Sequence, residues 1–225
     1  MPNLPNLFSI IKSPQRKNLF RWIFSFKKNY LLETHTPWIT FDATDYIVSH
    51  LPPQSKIFEY GSGGSTLLWQ DLGSTCVSVE HDPDWFKIMC GYLNSSNNIT
   101  YKLIPPIPSD ALATQDYSDP RLYLSADPKF QTYNFTNYVS YINNFPNEYF
   151  DLILIDGRAR PSCIMHSVPK VKPGGMLVLD NSEREYYTSK AGSFIKHFEC
   201  KKFPGLIPTL AHTTQTSIYI RQKFQ

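Results

Sequence analysis

Apolar positions change their spacing from segment to segment along the chain, and each spacing predicts an element. In "FDATDYIVSHL" (41–51), Ala43, Ile47 and Leu51 recur at four-residue steps, one face of a helix. "PPQS" breaks it, and "KIFEY" (56–60) follows as a short apolar run of strand type. "STLLWQDLG" reads as a helix with Gly73 just beyond its last turn. "TCVSVE" (75–80) alternates as a strand does, and "HDPDWFKIMCGYL" opens a helix with Asp82 as N-cap and Pro83 in the first helical position. "NITYKLI" is a further strand.

Residues 105–149 interrupt this rhythm with a proline- and tyrosine-rich stretch, read as an irregular insertion closing with a helix near 134–144. Alternation then resumes. "YFDLILID" is a buried strand, "RPSCIMHSV" a short helix, "GGMLVLD" a buried strand, "EREYYTSKAGSFIKHF" (183–198) a helix and "TTQTSIYIRQ" a final strand. Strands alternating with helices predict an α/β fold, a parallel sheet covered on both faces. No crossover helix precedes the last strand after about 198–203, so it is expected to return antiparallel.

A length of 225 residues suits one domain with a good-sized core, and 41% hydrophobic with 18% charged residues excludes a disordered chain. Cys76, Cys90, Cys163 and Cys200 are widely spaced, without a C-x-x-C pair or zinc spacing. That pattern predicts reduced thiols and a cytoplasmic protein, and leaves the sequons at Asn98 and Asn134 with little weight. Charge is uneven: residues 1–32 hold Lys12, Arg16, Lys17, Arg21, Lys27 and Lys28 and no acid, against a net +3 overall. The basic, aromatic-rich segment 1–36 is therefore set apart as a helical N-terminal arm, with the domain proper over 37–225. It has no apolar run near the roughly 20 residues that span a bilayer. Packing on the domain is the plain expectation for the arm. Peripheral contact of residues 1–32 with an anionic membrane is the alternative, and nucleic acid the least favoured partner.

Candidate chemistry begins at "FEYGSGGST" (58–66), where three of the ten glycines fall within four positions at a strand-to-helix junction. Backbone N–H groups and the positive helix end would face a ligand there. A P-loop needs Lys-Ser/Thr after its last glycine, and Ser65-Thr66-Leu67 stands instead. A nicotinamide site wants a small residue where Thr66 falls, a poor fit. Glu59, two positions before Gly61, suits a ligand carrying an ammonium or sulfonium charge. Glu80, at the end of the next strand, is placed to accept hydrogen bonds from an adenosine ribose.

Together "FEYGSGGST", "VSVEHD", "YFDLILIDGRAR" and "VKPGGMLVLDN" resemble the successive motifs of class I S-adenosylmethionine-dependent methyltransferases, from about residue 37 to the end. Within them the chain is most similar to small bacterial members carrying E-Y-G-S-G-G-S-T and D-G-R-A-R, although Ser65 stands where many have a third glycine. The resemblance implies a doubly wound, mostly parallel seven-stranded sheet with an antiparallel last strand. It implies that Glu59, Gly61 and Gly63 line the methionine part of S-adenosylmethionine, that Tyr60, Ser62, Ser65, Thr66 and Asp156 also belong to the cofactor site, and that Glu80 holds the ribose. His81 and Asp82 would border the adenine, Asp82 being equally well read as a helix cap.

Asp156 and the Asp180-Asn181 pair would lie outside the strand ends in the same crevice. The place of an N/D-P-P-Y/F motif reads "IDGRAR", which argues against amide or nucleobase acceptors and for a small molecule, by preference a hydroxyl. Asp156, Asp180 and Asn181 are similar to the metal set of catechol- and caffeoyl-CoA-type O-methyltransferases, and would suit Mg²⁺. Arg158 and Arg160 offer the opposite reading, pairing with Asp156 or gripping an anionic substrate. The candidate catalytic residues are Asp156, Asp180 and His212, while His166 is expected to face the sheet. Tyr117, Tyr123, Tyr133 and Tyr138 are read as a lid or, more simply, as a local core. Two other functions stay open: a non-catalytic adenosyl-binding module at a membrane surface, and a nicotinamide-dependent oxidoreductase.

Overall fold

The computed structural model describes residues 10, 12–93, 98–109 and 116–223. Seven strands form one sheet: β1 Lys56–Tyr60, β2 Thr75–Glu80, β3 Ile99–Leu103, β4 Phe150–Ile155, β5 Val171–Leu179, β6 Phe198–Leu206 and β7 Thr213–Arg221. Their order is β3-β2-β1-β4-β5-β7-β6, and only β7 runs against the direction of the other six. This is the doubly wound, mostly parallel sheet expected, with the last strand returning between β5 and β6.

Both faces are covered, which is why the inner strands read as continuous apolar runs rather than as alternating ones. Successive side chains still point to opposite faces. Ile57, Leu152, Leu154, Met176 and Val178 pack with Ile39, Ala43 and Ile47 of the α3 region (α3 is Phe41–His50) and with Trp69 of α4 (Gly64–Asp71). Phe58, Tyr60, Ile153, Ile155, Leu177 and Leu179 pack on the other face, against α7 (Arg160–Ser167) and α8 (Gly192–Ile195). Complete burial of one such aliphatic chain contributes about 1.5–3 kcal/mol. Between β2 and β3, α5 (Pro83–Cys90) starts as expected, Asp82 accepting from the N–H groups of Asp84 at 2.9 Å and Trp85 at 3.1 Å.

The arm forms α1 (Leu19–Phe24) and α2 (Tyr30–Glu33) and packs on the domain. Ile10 and Trp22 share a buried cluster with Phe41 and Leu206, and the Trp22 indole N–H donates to the Leu210 carbonyl at 2.7 Å.

Two expectations need correction. Residues 183–198 do not form one helix: a 3₁₀ turn at Glu185–Tyr187 and the short α8 are separated by Thr188–Ala191. Weak helix formers (Thr188, Ser189, Gly192, Ser193) give that stretch little intrinsic support. His166 does not face the sheet. Its Nε2 lies 3.2 Å from the Tyr123 hydroxyl and its Nδ1 is bonded to the Asn143 side chain, so it ties α7 to the insertion. The tyrosines follow the simpler of their two readings, a local core: Tyr138, on α6 (Thr136–Ser140), is fully buried, and Tyr123 and Tyr133 pack against the same cluster.

Candidate active site

The ends of β1, β2, β4 and β5 open on one side of the sheet, and the glycine loop follows β1 there. Gly61 has φ +90°, and a Cβ on it would meet the Gly157 backbone at 3.1 Å, so the loops after β1 and β4 pass glycine against glycine. Gly64 is needed for a different reason. A Cβ there would lie 2.1 Å from the Thr36 carbonyl, so the chain leading out of the arm closes directly onto the start of α4.

Glu59 does not reach the cleft. It is fully buried beneath the loop, where it accepts from Thr66 Oγ1 at 2.5 Å, Ser78 Oγ at 2.8 Å and Trp69 Nε1 at 3.1 Å. Thr66 in turn takes the Gly63 N–H at 3.1 Å. Burial raises the Glu59 pKa, and the hydrogen bonds from Ser65, Thr66, Ser78 and Trp69 only partly oppose it. Tyr60 also points away, its hydroxyl donating to the Val139 carbonyl at 2.7 Å. Of the residues expected at the cofactor, Glu59 and Thr66 instead hold the loop's shape from below, and Tyr60 ties the end of β1 to the carbonyl of Val139 on the opposite face.

Glu80 stands at the cleft edge. Its Oε2 accepts from the Ser62 N–H at 3.1 Å and hydroxyl at 2.8 Å, and its Oε1 from the N–H groups of His81 at 2.7 Å and Asp82 at 3.0 Å. The His81 Nδ1 lies 2.8 Å from the same Oε1, within ion-pairing distance but out of line for a hydrogen bond. Burial alone would raise the Glu80 pKa; the donors and His81 outweigh it and bring it down to about 2. Ser62 has a second partner in the Tyr101 hydroxyl at 2.7 Å, and its carbonyl takes the Trp85 indole N–H at 2.9 Å.

At the ends of β4 and β5 the organiser is Arg160, the first residue of α7. Its guanidinium lies 3.0 Å from Asp156 Oδ1 and 4.0 Å from Asp180 Oδ2, and it donates to the carbonyls of Asp156, Gly157 and Asp180. Asp180 also accepts from Thr216 Oγ1 at 2.7 Å. Both carboxyl pKa values are raised. For Asp156 burial leads, the Asp180 charge adds to it and Arg160 opposes; for Asp180 burial leads and Arg160 and Thr216 oppose.

A divalent ion does not fit this donor set. The position between the two carboxylates is held by a side chain that is always cationic, and Mg²⁺ would meet it with like charge. Among the described residues no group of three or more His, Cys, Asp or Glu side chains could hold a metal. Of the two readings of this set, the pairing of Arg160 with Asp156 is the one the geometry shows, and Arg160 supplies the positive charge there.

All these strand ends line one cleft of about 700 Å³. Gly61, Ser62, Gly63, Ser65, Glu80 and His81 bound it on one side, and Asp156, Asp180, Asn181 and His212 on the other. Asp82 lines it too, so it caps α5 and faces the cleft at once. Several wall residues escaped the sequence reading. Among them, Leu31, Leu32 and Trp38 come from the arm side and Arg184 from beyond β5, and no local motif marks any of these four.

No family model matches the chain, and no curated protein matches it. Solved structures do. An O-methyltransferase from Bacillus cereus in complex with SAH aligns at 15% identity and TM-score 0.57, over 92% of this chain and 97% of that one. A putative O-methyltransferase from Klebsiella pneumoniae aligns at 14% identity and TM-score 0.57, over 96% of each chain. A methyltransferase-like protein from Silicibacter pomeroyi aligns at 18% identity and TM-score 0.52, over 82% of this chain and 88% of that one. At these identities the likeness shows the fold: this chain has the class I methyltransferase fold.

Proposed function

We propose that the protein is an S-adenosylmethionine-dependent methyltransferase acting on a small-molecule hydroxyl. The observation that carries this is the convergence of the glycine loop, Glu80 and the Asp156/Asp180 pair on one cleft large enough for an adenosyl cofactor. The fold likeness supports the reading by analogy alone.

The residues present fit such a cofactor. Gly63 has open space where a Cβ would stand, so the loop backbone allows close approach. Glu80 is an ionised acceptor at neutral pH. Because Ser62 Oγ can turn to Tyr101, Glu80 Oε2 can exchange that hydroxyl for one of a ribose. Bound there, the cofactor would supply an activated methyl group, and Asp156, which lines the cleft, is the carboxyl placed to take the proton of an acceptor hydroxyl. A raised pKa makes Asp156 a stronger base than an ordinary carboxylate. Arg160 keeps it oriented.

Calorimetric titration with S-adenosylhomocysteine tests the reading. Wild type is expected to bind in the micromolar range, Glu80→Ala at least tenfold more weakly, and added Mg²⁺ to change neither. Absence of binding to wild type would overturn it.

A second reading concerns where the enzyme works. On the arm, Phe20 (72% exposed), Phe24 (69%) and Ile23 (50%) face outward, flanked by exposed Arg16, Lys17, Lys27 and Lys28. Apolar side chains ringed by cations complement an anionic lipid surface. Co-sedimentation with phosphatidylserine vesicles, lost in Phe20→Ser/Phe24→Ser and absent with neutral vesicles, is the expected result; equal behaviour of the double variant would dismiss it.

A further inference from the structure

Beside the large cleft lies a second cavity of about 390 Å³, and its walls differ in character. The insertion contributes Leu124–Pro128, the loop after β4 contributes Gly157–Pro161, and Arg184, Tyr186 and Tyr187 close the third side. The cavities share Gly157, Arg158, Arg160 and Arg184, so a molecule in the smaller one lies next to the Asp156 region of the larger.

Three guanidinium groups line this small cavity against a single carboxylate, that of Asp127. The three are not equivalent. Arg160 is committed to Asp156 and Asp180 and is only 7% exposed. Arg158 pairs with Asp127 at 3.0 Å, reaches His81 Nε2 at 3.4 Å and lies over the Phe130 ring. Arg184 is exposed and donates to the Tyr187 hydroxyl at 3.1 Å. Among the described residues it makes no ion pair. Its sequence neighbour Glu183 is turned to the Gln215 N–H at 2.9 Å. The rim of the cavity thus carries a planar five-donor fork without a carboxylate partner. This surplus sits in a domain that is acidic apart from its arm, since residues 1–32 hold +6 of a net +3 chain.

Resting on the methyltransferase reading, we propose that this cavity is the acceptor site and that the acceptor is an anion, a small molecule carrying a carboxylate or a phosphate. Arg184 takes the oxyanion through its fork, Arg158 adds positive potential, and the Tyr186 and Tyr187 rings wall a flat body. A cationic amine would meet three guanidinium groups. A neutral acceptor would leave the fork without its partner. The site therefore selects on charge before it selects on shape.

Thermal-shift and calorimetric titrations with benzoate, inorganic phosphate and the neutral benzamide test this, each with and without S-adenosylhomocysteine. The expected result is that wild type binds at least one anion, benzamide binds at least tenfold more weakly, and Arg184→Gln loses tenfold or more for the anion while keeping its S-adenosylhomocysteine affinity. Arg184→Lys, which keeps the charge and loses the fork, should lie between. Preference for benzoate or for phosphate tells a carboxylate acceptor from a phosphorylated one. Anion binding unchanged in Arg184→Gln, benzamide binding as well as benzoate, or no anion binding to wild type would each overturn the proposal. Loss of S-adenosylhomocysteine binding with anion binding intact would instead remove the methyltransferase reading and leave an anion site.

Discussion

The two ends of the large cleft hold their carboxylates in different ways. At the ends of β1 and β2, Glu59 and Glu80 are satisfied by hydroxyl, indole and backbone donors, with the His81 ring beside Glu80. At the ends of β4 and β5, Asp156 and Asp180 share one buried guanidinium. Neutral donors fix a shape and leave the local charge to the carboxylate. A shared cation fixes a shape and also sets how readily each carboxylate takes a proton.

The sharpest way to break that contrast is Arg160→Ala. Removing the cation from two buried carboxylates is expected to cost about 3–5 kcal/mol of stability near pH 8. The loss should shrink as pH falls, because both pKa values are already raised and protonation replaces the missing charge. Chemical denaturation at pH 8 and pH 6 reads this; an equal loss at both would mean that Arg160 supports the fold by packing alone.

Next comes Glu80→Gln. A carboxyl held at about 2 rather than 4.5 contributes about 3 kcal/mol at neutral pH, fully present above the unfolded value and lost as pH falls through about 2. The gap between wild type and Glu80→Gln should therefore close between about pH 5 and pH 2. A gap that stays constant on acidification would show that Glu80 is not what the donors stabilise.

Smaller effects come from the neutral network. Glu59→Gln keeps the shape but sets an amide N–H against some of its donors, at an expected cost of about 1–3 kcal/mol. Binding of S-adenosylhomocysteine should weaken no more than a loosened loop explains, well short of Glu80→Ala. A Glu59→Gln variant that binds as poorly as Glu80→Ala would return Glu59 to the ligand. Smallest is Trp85→Phe, which removes one hydrogen bond to the Ser62 carbonyl and should cost about 1 kcal/mol in thermal unfolding.

Much of this was legible along the chain. The strand runs, the Asp82-Pro83 helix start and the glycine loop each depend on neighbours within a few residues, and local sterics and capping decide them. The broken helix after Asn181 was not legible, because "EREYYTSKAGSFIKHF" has helical spacing while its propensity fails only in the middle. Glu59 was misread for a different reason. Its place before a glycine loop looked like a place in the cleft, but alternation along β1 turns its side chain to the Trp69 face.

By itself, then, the sequence determined an α/β chain with a glycine-rich ligand loop and carboxylates at the strand ends, because periodicity and backbone chemistry are local. Only the tertiary structure decided that Arg160 stands between Asp156 and Asp180, that the arm supplies Leu31, Leu32 and Trp38 to the cleft wall, and that Arg184 has no acid partner among the described residues. Those facts depend on which side chains the fold brings within a few ångströms of one another, and separation along the chain carries no record of that distance.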